Sequence, residues 1–351
     1  MTVPPGRAMI RFDGVGKTYP DGTAAVGHLD LDVADGELLC LVGPSGCGKT
    51  TTMKMVNRLV EPTSGRVLLE GTDVAGVAPA ELRRRIGYVI QQVGLFPHQR
   101  VADNVMTVPR LLGWDRHRAA VRADELLDLV GLDPSTYRDR WPSQLSGGQR
   151  QRVGVARALA ADPPVLLMDE PFSAIDPVAR GRLQQEFLRV QRTVRKTIVF
   201  VTHDLDEAVL RAARVAVLGQ GGVLEQHASP AEVLGAPATP AVADFVGSER
   251  GLRRLGVTPI DLTSLQDRPV TCGADGGPVS WDDAGTSRAV PGVVPADATL
   301  KQVLAQVLAV DAGWVAVVDP GSGRYLGALD AASVHAALRR SVAAQPVVAP
   351  D

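Results

Sequence analysis

An unbroken apolar run, residues 38–42, leads straight into Gly43-Pro44-Ser45-Gly46-Cys47-Gly48-Lys49-Thr50, and a helix pattern follows over 50–59 until Pro62. The spacing G-x-x-x-x-G-K-[ST] between a buried strand and a helix dictates a tight loop whose backbone N–H groups, with the helix N-terminus behind them, surround phosphate oxygens. Gly43, Gly46 and Gly48 permit close backbone approach, Lys49 sets a cation against the β- and γ-phosphates, and the Thr50 hydroxyl, with Thr51 beside it, is suited to Mg2+. Lysine is scarce, occurring only at 17, 49, 54, 196 and 301, which makes a chance match improbable.

A second glycine-rich grip is Leu145-Ser146-Gly147-Gly148-Gln149, which opens a helix pattern over 147–160. Its N–H groups point outward at the positive end of a helix dipole. One triphosphate needs one cradle, so two grips imply a nucleotide clamped from two sides. Further short apolar runs at 86–90, 165–168, 198–202 and 215–218 read as buried strands, and helix patterns fall at 119–130, 177–194 and 205–213. Strands alternating with helices give an α/β fold whose mixed or parallel sheet is covered on both faces. The stretch 94–160, mostly helical, reads as a subdomain interrupting that sheet.

Several strand ends carry polar residues with chemistry. Asp169 and Glu170 follow the run 165–168, where the first carboxylate suits a magnesium ion and the second faces the γ-phosphate as general base for the attacking water. His203 follows 198–202 and can reach the γ-phosphate or that water. Gln91 follows 86–90 as a neutral ligand for Mg2+ or water, with Gln92 as its rival. Tyr19 offers a flat face for adenine, or fills a half-buried strand position.

The formal net charge of −2 over 351 residues gives no global reason to bind nucleic acid or an anionic membrane. Cysteines at 40, 47 and 272 have no metal-type spacing, so no disulfide framework is expected and a reducing compartment fits. Residues 1–11 do not resemble a signal peptide, and no run reaches the roughly 18 apolar residues of a spanning helix. Any membrane role therefore passes through a partner.

Beyond Leu234, residues 235–295 are rich in Gly, Pro, Ala, Asp and Ser with little periodicity, and read as a connector or a poorly preserved module. A helix pattern returns at 299–310, then short runs at 314–318 and 325–329 around the turn Pro320-Gly321-Ser322-Gly323, then a helix pattern at 331–340. This α-β-β-α unit is small for an independent core.

Taken in order, Tyr19, GPSGCGKT, Gln91, LSGGQ, LLMDE, Ser173-Ala174-Ile175-Asp176 and His203 resemble the ATP-binding subunit of an ABC transporter over residues 8–245. The resemblance implies an ABC-type P-loop ATPase using ATP and Mg2+. Two copies would meet head to tail, with Ser146, Gly147, Gly148 and Gln149 closing on the partner's nucleotide and Asp176 at the seam. Ile175 stands where the family usually has leucine.

The stretch 86–98 and Phe245-Val246-Gly247-Ser248-Glu249-Arg250-Gly251-Leu252 look like the quaternary-amine importers, which take up glycine betaine, choline, carnitine or proline. These commonly carry cystathionine-β-synthase-type (CBS) modules after the cassette. The implied organisation is an ATP-binding domain at 8–240, a linker or degenerate CBS copy at 241–289, and a CBS-like module at 290–341. A nucleotide-binding CBS module would have Thr or Ser and then Asp where this chain has Asp330 and Ser333, so the tail reads equally as a dimer-stabilising or ionic-strength-responsive appendage. The expected partners are a second copy, integral membrane permease subunits contacted through 91–104, and indirectly an external solute-binding protein, with the chain peripheral on the cytoplasmic face of the membrane. An exporter subunit shares the same cassette chemistry. A soluble ABC ATPase would show paired cassettes, a coiled-coil insertion or a basic face, and none is visible.

Overall fold

The computed structural model describes residues 8–91, 94–172, 196–247, 249–283 and 285–343. The expected helix 177–194 and Asp176 lie outside these residues. The chain forms two compact units that divide between His227 and Ala228, N-terminal of the boundary expected at 240. The reason is local packing: the helix Pro230–Gly235 packs against Arg250–Leu255 of the second unit.

The first unit is built on two sheets. One has the order β2-β1-β4-β5, with β1 Ala8–Thr18, β2 Ala24–Ala34, β4 Ser64–Leu69 and β5 Thr72–Asp73, and all of its pairings are antiparallel. The sequence reading passes over this sheet. Its outer face is polar, so Arg11 and Asp13 of β1 pair across the ladder with Asp32 of β2 and Arg66 of β4, while Ile10 and Phe12 point inward.

The other sheet has the order β10-β9-β3-β8-β7-β6, where β3 is Leu38–Val42, β6 Ile86–Val89, β7 Val165–Asp169, β8 Thr197–Val201, β9 Arg214–Leu218 and β10 Leu224–Ala228. Strands β9, β3, β8, β7 and β6 are parallel. Every residue of β3, β7 and β8 is buried, which is why they read as continuous apolar runs rather than alternating ones.

The core lies between the sheets. Leu39, Leu41, Val165, Leu167, Val199, Val201, Ala216 and Leu218 meet Ile10, Phe12, Leu29 and Val67 around Met53, Met55 and Val56 of the helix Lys49–Val56. Between β6 and β7 the chain is helical, with its longest helices at Arg116–Leu129 and Gly147–Leu159.

In the second unit, β14 (Val293–Pro295) runs parallel to β15 (Trp314–Val318), and β15 antiparallel to β16 (Tyr325–Asp330). Helices Leu300–Ala309 and Ala331–Ala343 cover one face through Val303, Val307, Val334 and Ala337. The opposite face is covered by a meander of β11 (Val270–Cys272), β12 (Pro278–Asp283) and β13 (Thr286–Ala289). Trp281 of the meander meets Trp314 edge to face, 5.4 Å between centroids.

The stretch 241–289, expected as a linker or degenerate CBS copy, thus holds the three strands of this covering layer. Half-exposed strands such as β12 leave only a faint period-2 signal, and this one was missed. The layer also supplies burial that the small α-β-β-α unit would lack alone.

His227, on β10, carries a buried Nε2 with no hydrogen-bond partner among the described residues. Burial first, then the nearby Arg214, push its pKa from 6.5 down to about 4, against an opposing pull from Asp32. The folded state therefore keeps His227 neutral where the unfolded chain protonates it. The associated stability is fully present above pH 6.5 and is lost as pH falls toward about 4, a span of up to about 3 kcal/mol. Urea unfolding across this window should show a shallower loss of stability in His227→Gln than in the unmodified chain; parallel curves would refute the assignment.

Candidate functional site

Residues 43–48 connect β3 to the helix Lys49–Val56 through three left-handed glycines, with φ of 147° at Gly43, 80° at Gly46 and 95° at Gly48. Two of these cannot be replaced without collision. A Cβ at Gly43 would lie 2.1 Å from the Leu218 carbonyl oxygen, and one at Gly48 would lie 2.2 Å from that of Ala25. The loop is therefore wedged between β9 and β2, and its glycines are required by space as well as by φ.

Lys49 is only 7% exposed. Its Nζ donates to the carbonyl oxygens of Gly43 (2.8 Å) and Pro44 (2.9 Å), with Cys47 Sγ at 3.6 Å. Among the described residues no carboxylate lies within ion-pair distance of it. A buried ammonium satisfied only by neutral carbonyls, beside a loop of backbone N–H groups, is the electrostatic signature of an anion site.

The next residue reaches across to β7. Thr50 Oγ1 donates to Asp169 Oδ1 at 2.9 Å. Burial raises the pKa of Asp169, opposed by the Thr50 hydrogen bond and by Lys54 and Lys49, while Glu170 adds to the rise. Two hard oxygen ligands side by side, one a desolvated carboxylate that gains from a nearby cation, fit a hydrated magnesium ion.

Glu170 follows with φ of 43°, a left-handed backbone unusual outside glycine, and its N–H is held by the Val201 carbonyl oxygen at 3.0 Å. Such a conformation costs on the order of 1–3 kcal/mol and clusters at functional sites. Here it lifts the carboxylate between two partners from other strand ends: Gln91 Nε2 donates to Oε2 at 2.8 Å, and His203 Nδ1 donates to Oε1 at 3.1 Å. A cleft of about 250 Å³ is lined by Ala25, Ser45, Gly46, Gly48, Lys49, Thr50, Thr51 and Glu170. Tyr19 joins its rim, its hydroxyl 3.4 Å from Thr51 Oγ1 and its ring beneath Lys17 Nζ.

The structure thus gathers Tyr19, residues 43–51, Gln91, Asp169, Glu170 and His203 in one place. Ser146, Gly147, Gly148 and Gln149 do not line this cleft. Ser146 caps the helix Gly147–Leu159, its Oγ accepting from Gln149 N at 3.2 Å while Gln149 Oε1 accepts from Ser146 N at 2.9 Å. Gln149 Nε2 also donates to the Tyr137 hydroxyl at 3.1 Å, so this side chain holds the cap rather than facing outward.

Ala25 is the lining residue that sequence reasoning missed. It sits on an antiparallel strand with no motif to flag it. In the second unit, Asp330 Oδ1 accepts from Ser333 N and Oγ, both at 2.8 Å, and Gln266 Nε2 donates to Asp330 Oδ2 (3.0 Å) and Ser333 Oγ (2.8 Å). Burial would raise the pKa of Asp330, but the bonds from Ser333 and Gln266, with Arg268 nearby, outweigh it and hold the pKa below its usual range.

A family profile described as ABC transporter matches residues 26–173. The glycine betaine/carnitine/choline transport ATP-binding protein of Bacillus subtilis is 51% identical over 268 residues, covering 76% of this chain and 70% of that protein. The glycine betaine uptake system ATP-binding protein of Escherichia coli is 51% identical over 259 residues, covering 74% and 82%. Among solved structures, an ATP-binding cassette in a dimeric, post-hydrolysis state bound to ADP and Pi is 32% identical, with a TM-score of 0.57 over 63% of this chain and 99% of that one.

The glycine geometry gives a graded expectation. Gly48→Ala, which meets both the Ala25 carbonyl and a strained φ, should cost about 2–3 kcal/mol or more of stability. At Gly46 nothing lies within 4 Å of a Cβ, so Gly46→Ala should cost only the left-handed backbone, about 1–2 kcal/mol. Equal losses in chemical unfolding would show that the loop is not wedged.

Proposed function

This chain belongs to the ATP-binding proteins of ABC transporters, and we propose that it hydrolyses Mg-ATP to energise import of glycine betaine or a related quaternary amine. The observation that carries the reading is Glu170, held by Gln91 and His203 directly after Asp169 at the mouth of the phosphate loop.

The residues divide the work. Residues 43–48 and Lys49 bind the β- and γ-phosphates, and the Lys49 ammonium, already desolvated, exchanges carbonyl partners for phosphate oxygens without a new burial cost. Thr50 and Asp169, with Gln91, would hold Mg2+, which supplies charge neutralisation at the phosphates. Tyr19 stacks on the adenine. Glu170 accepts a proton from the attacking water, and His203, donating through Nδ1, keeps the carboxylate oriented and itself near the γ-phosphate.

Ser146 and the glycines after it lie away from this cleft, which favours a working unit of two copies. The capped helix of one then closes on the nucleotide held by the other. The solved cassette noted above is itself a dimer. Among the described residues no helix is long and apolar enough to cross a membrane. Our reading puts the chain on the cytoplasmic face of the membrane, held by permease subunits docked near 91–104, and it rests on the similarity to transport ATP-binding proteins. The solute assignment rests on two relatives at 51% identity, the ATP-binding proteins of glycine betaine/carnitine/choline transport and of a glycine betaine uptake system. On the resemblance, the ATP-binding domain runs over 8–240, past the division between His227 and Ala228, and is followed by a linker or degenerate CBS copy at 241–289 and a CBS-like module at 290–341.

Glu170→Gln should retain ATP binding and lose turnover by about 10²-fold or more, accumulating an ATP-bound dimer in size-exclusion chromatography. Undiminished hydrolysis would remove Glu170 from its role. Cells should take up labelled glycine betaine, choline, carnitine or proline through the transporter containing this chain and lose that uptake with Lys49→Ala. Uptake of all four that is unchanged by the substitution would exclude the quaternary-amine assignment.

A further inference from the structure

The loop that carries His203 is fixed by a set of hydrogen bonds that the hydrolysis reaction does not itself use. The helix Leu205–Arg211 begins at Asp204, whose Oδ1 accepts from Asp206 N (2.9 Å) and Glu207 N (3.3 Å). In a reciprocal cap, the side chain at the third helical position, here Glu207, reaches back to the N–H of the cap residue. That direct bond is replaced here. The Asp204 N–H donates to Thr202 Oγ1 at 3.0 Å, and the Thr202 hydroxyl donates onward to Glu207 Oε2 at 2.6 Å.

The cap has thus been opened and a hydroxyl inserted, with His203 in the middle of the inserted turn. Thr202 is 2% exposed and Glu207 6%, so the hydroxyl–carboxylate bond lies where such bonds are strong and their loss is costly. The backbone continues the bracing. Thr202 N donates to the Leu41 carbonyl oxygen on β3, and the Val201 carbonyl oxygen receives the Glu170 N–H. Residues on both sides of His203 are therefore pinned, while its own side chain stays 58% exposed and meets Glu170 at 3.1 Å.

We infer that Thr202 and Glu207 are positioning residues for the hydrolytic reaction: the Asp204–Thr202–Glu207 relay sets the reach of His203 to Glu170. This rests on the role proposed above for His203. A carboxylate serving only to cap the helix would bond Asp204 N–H directly and leave residue 202 free to be any small side chain. The relay makes the hydroxyl at 202 the pivot of the turn.

The test is steady-state ATP hydrolysis by the full chain, with nucleotide affinity measured alongside. Thr202→Val keeps the side-chain shape and removes the relay. It should lower kcat by about tenfold or more, the scale of a sub-ångström to ångström misplacement, with KM and ATP affinity within about twofold. Thr202→Ser should restore most of the turnover. In the double variant Thr202→Val/His203→Ala, turnover should be no slower than in His203→Ala alone, because both changes remove one function.

Wild-type kcat in Thr202→Val, a raised KM at unchanged kcat, or losses that multiply in the double variant would each overturn the inference. If Thr202→Val does not fold, Glu207→Gln, whose amide oxygen still accepts from Thr202, should keep turnover that Glu207→Ala loses; equal rates in those two would overturn it as well. Full hydrolysis by His203→Ala would instead sink the proposed role of His203, and the inference with it. A slow His203→Ala beside an unaffected Thr202→Val refutes the inference alone.

Discussion

Parallel register among β3, β8, β7 and β6 is the constraint on which the site depends. Leu41 pairs with Val201, Val201 with Asp169, and Met168 with Val89, so four strands end level at one edge of one sheet. In an open parallel sheet every carboxyl end exits on the same side. Residues 43–50, 91, 169–170 and 202–203 therefore converge although they are scattered through the chain. A one-residue slip of β7 would turn Asp169 away from Thr50 and break the hydrogen bond between them.

Convergence also concentrates charges that the protein does not neutralise internally. Lys49 and Asp169 are both nearly buried, yet among the described residues they form no ion pair with each other. The cation rests on two carbonyl oxygens and the anion on one hydroxyl. Burying charges with neutral partners alone is unfavourable, so each gains from a ligand carrying the opposite charge: phosphate for Lys49, a divalent cation for Asp169. The left-handed Glu170 adds backbone strain at the same spot. Strain and buried charge thus meet at the cleft, while the core beneath it, from Leu39 to Leu218, is apolar. That division is what a site built to bind and release a charged substrate requires.

The legible parts of the sequence were those where one chemistry has one solution. The phosphate loop has few alternatives to its glycine spacing, and carboxylates after a buried strand can only emerge at its end. The helix Leu300–Ala309 and strand Trp314–Val318 were equally readable, because their apolar positions follow one period without interruption. The first antiparallel sheet was legible but passed over: Ile10-Arg11-Phe12-Asp13 and Leu29-Asp30-Leu31-Asp32-Val33 alternate apolar and charged residues with period 2, and no chemical motif draws attention to them. The meander 270–289 was hidden by its half-exposed strands. Ala25 and Thr202 were hidden for a different reason: their contributions are a backbone carbonyl against Gly48 and a hydroxyl between the Asp204 N–H and the Glu207 carboxylate, and neither belongs to a spacing motif.

The second grip shows how geometry constrains what spacing alone leaves open. Ser146 and Gln149 satisfy each other in a capping box, which fixes the start of the helix Gly147–Leu159 and takes the Gln149 N–H and the Ser146 N–H out of play. The remaining first-turn N–H groups belong to Gly147 and Gly148, and a helix N-terminus leaves these without intrahelical acceptors. Around Gly147 nothing lies within 4 Å of a Cβ position, so an incoming anion could approach the backbone directly. The helix dipole favours that approach. Lys49 and Asp169 gather at a cleft that Gly147 and Gly148 do not line, and this supports the proposal made above that their N–H groups serve a nucleotide held by a second copy.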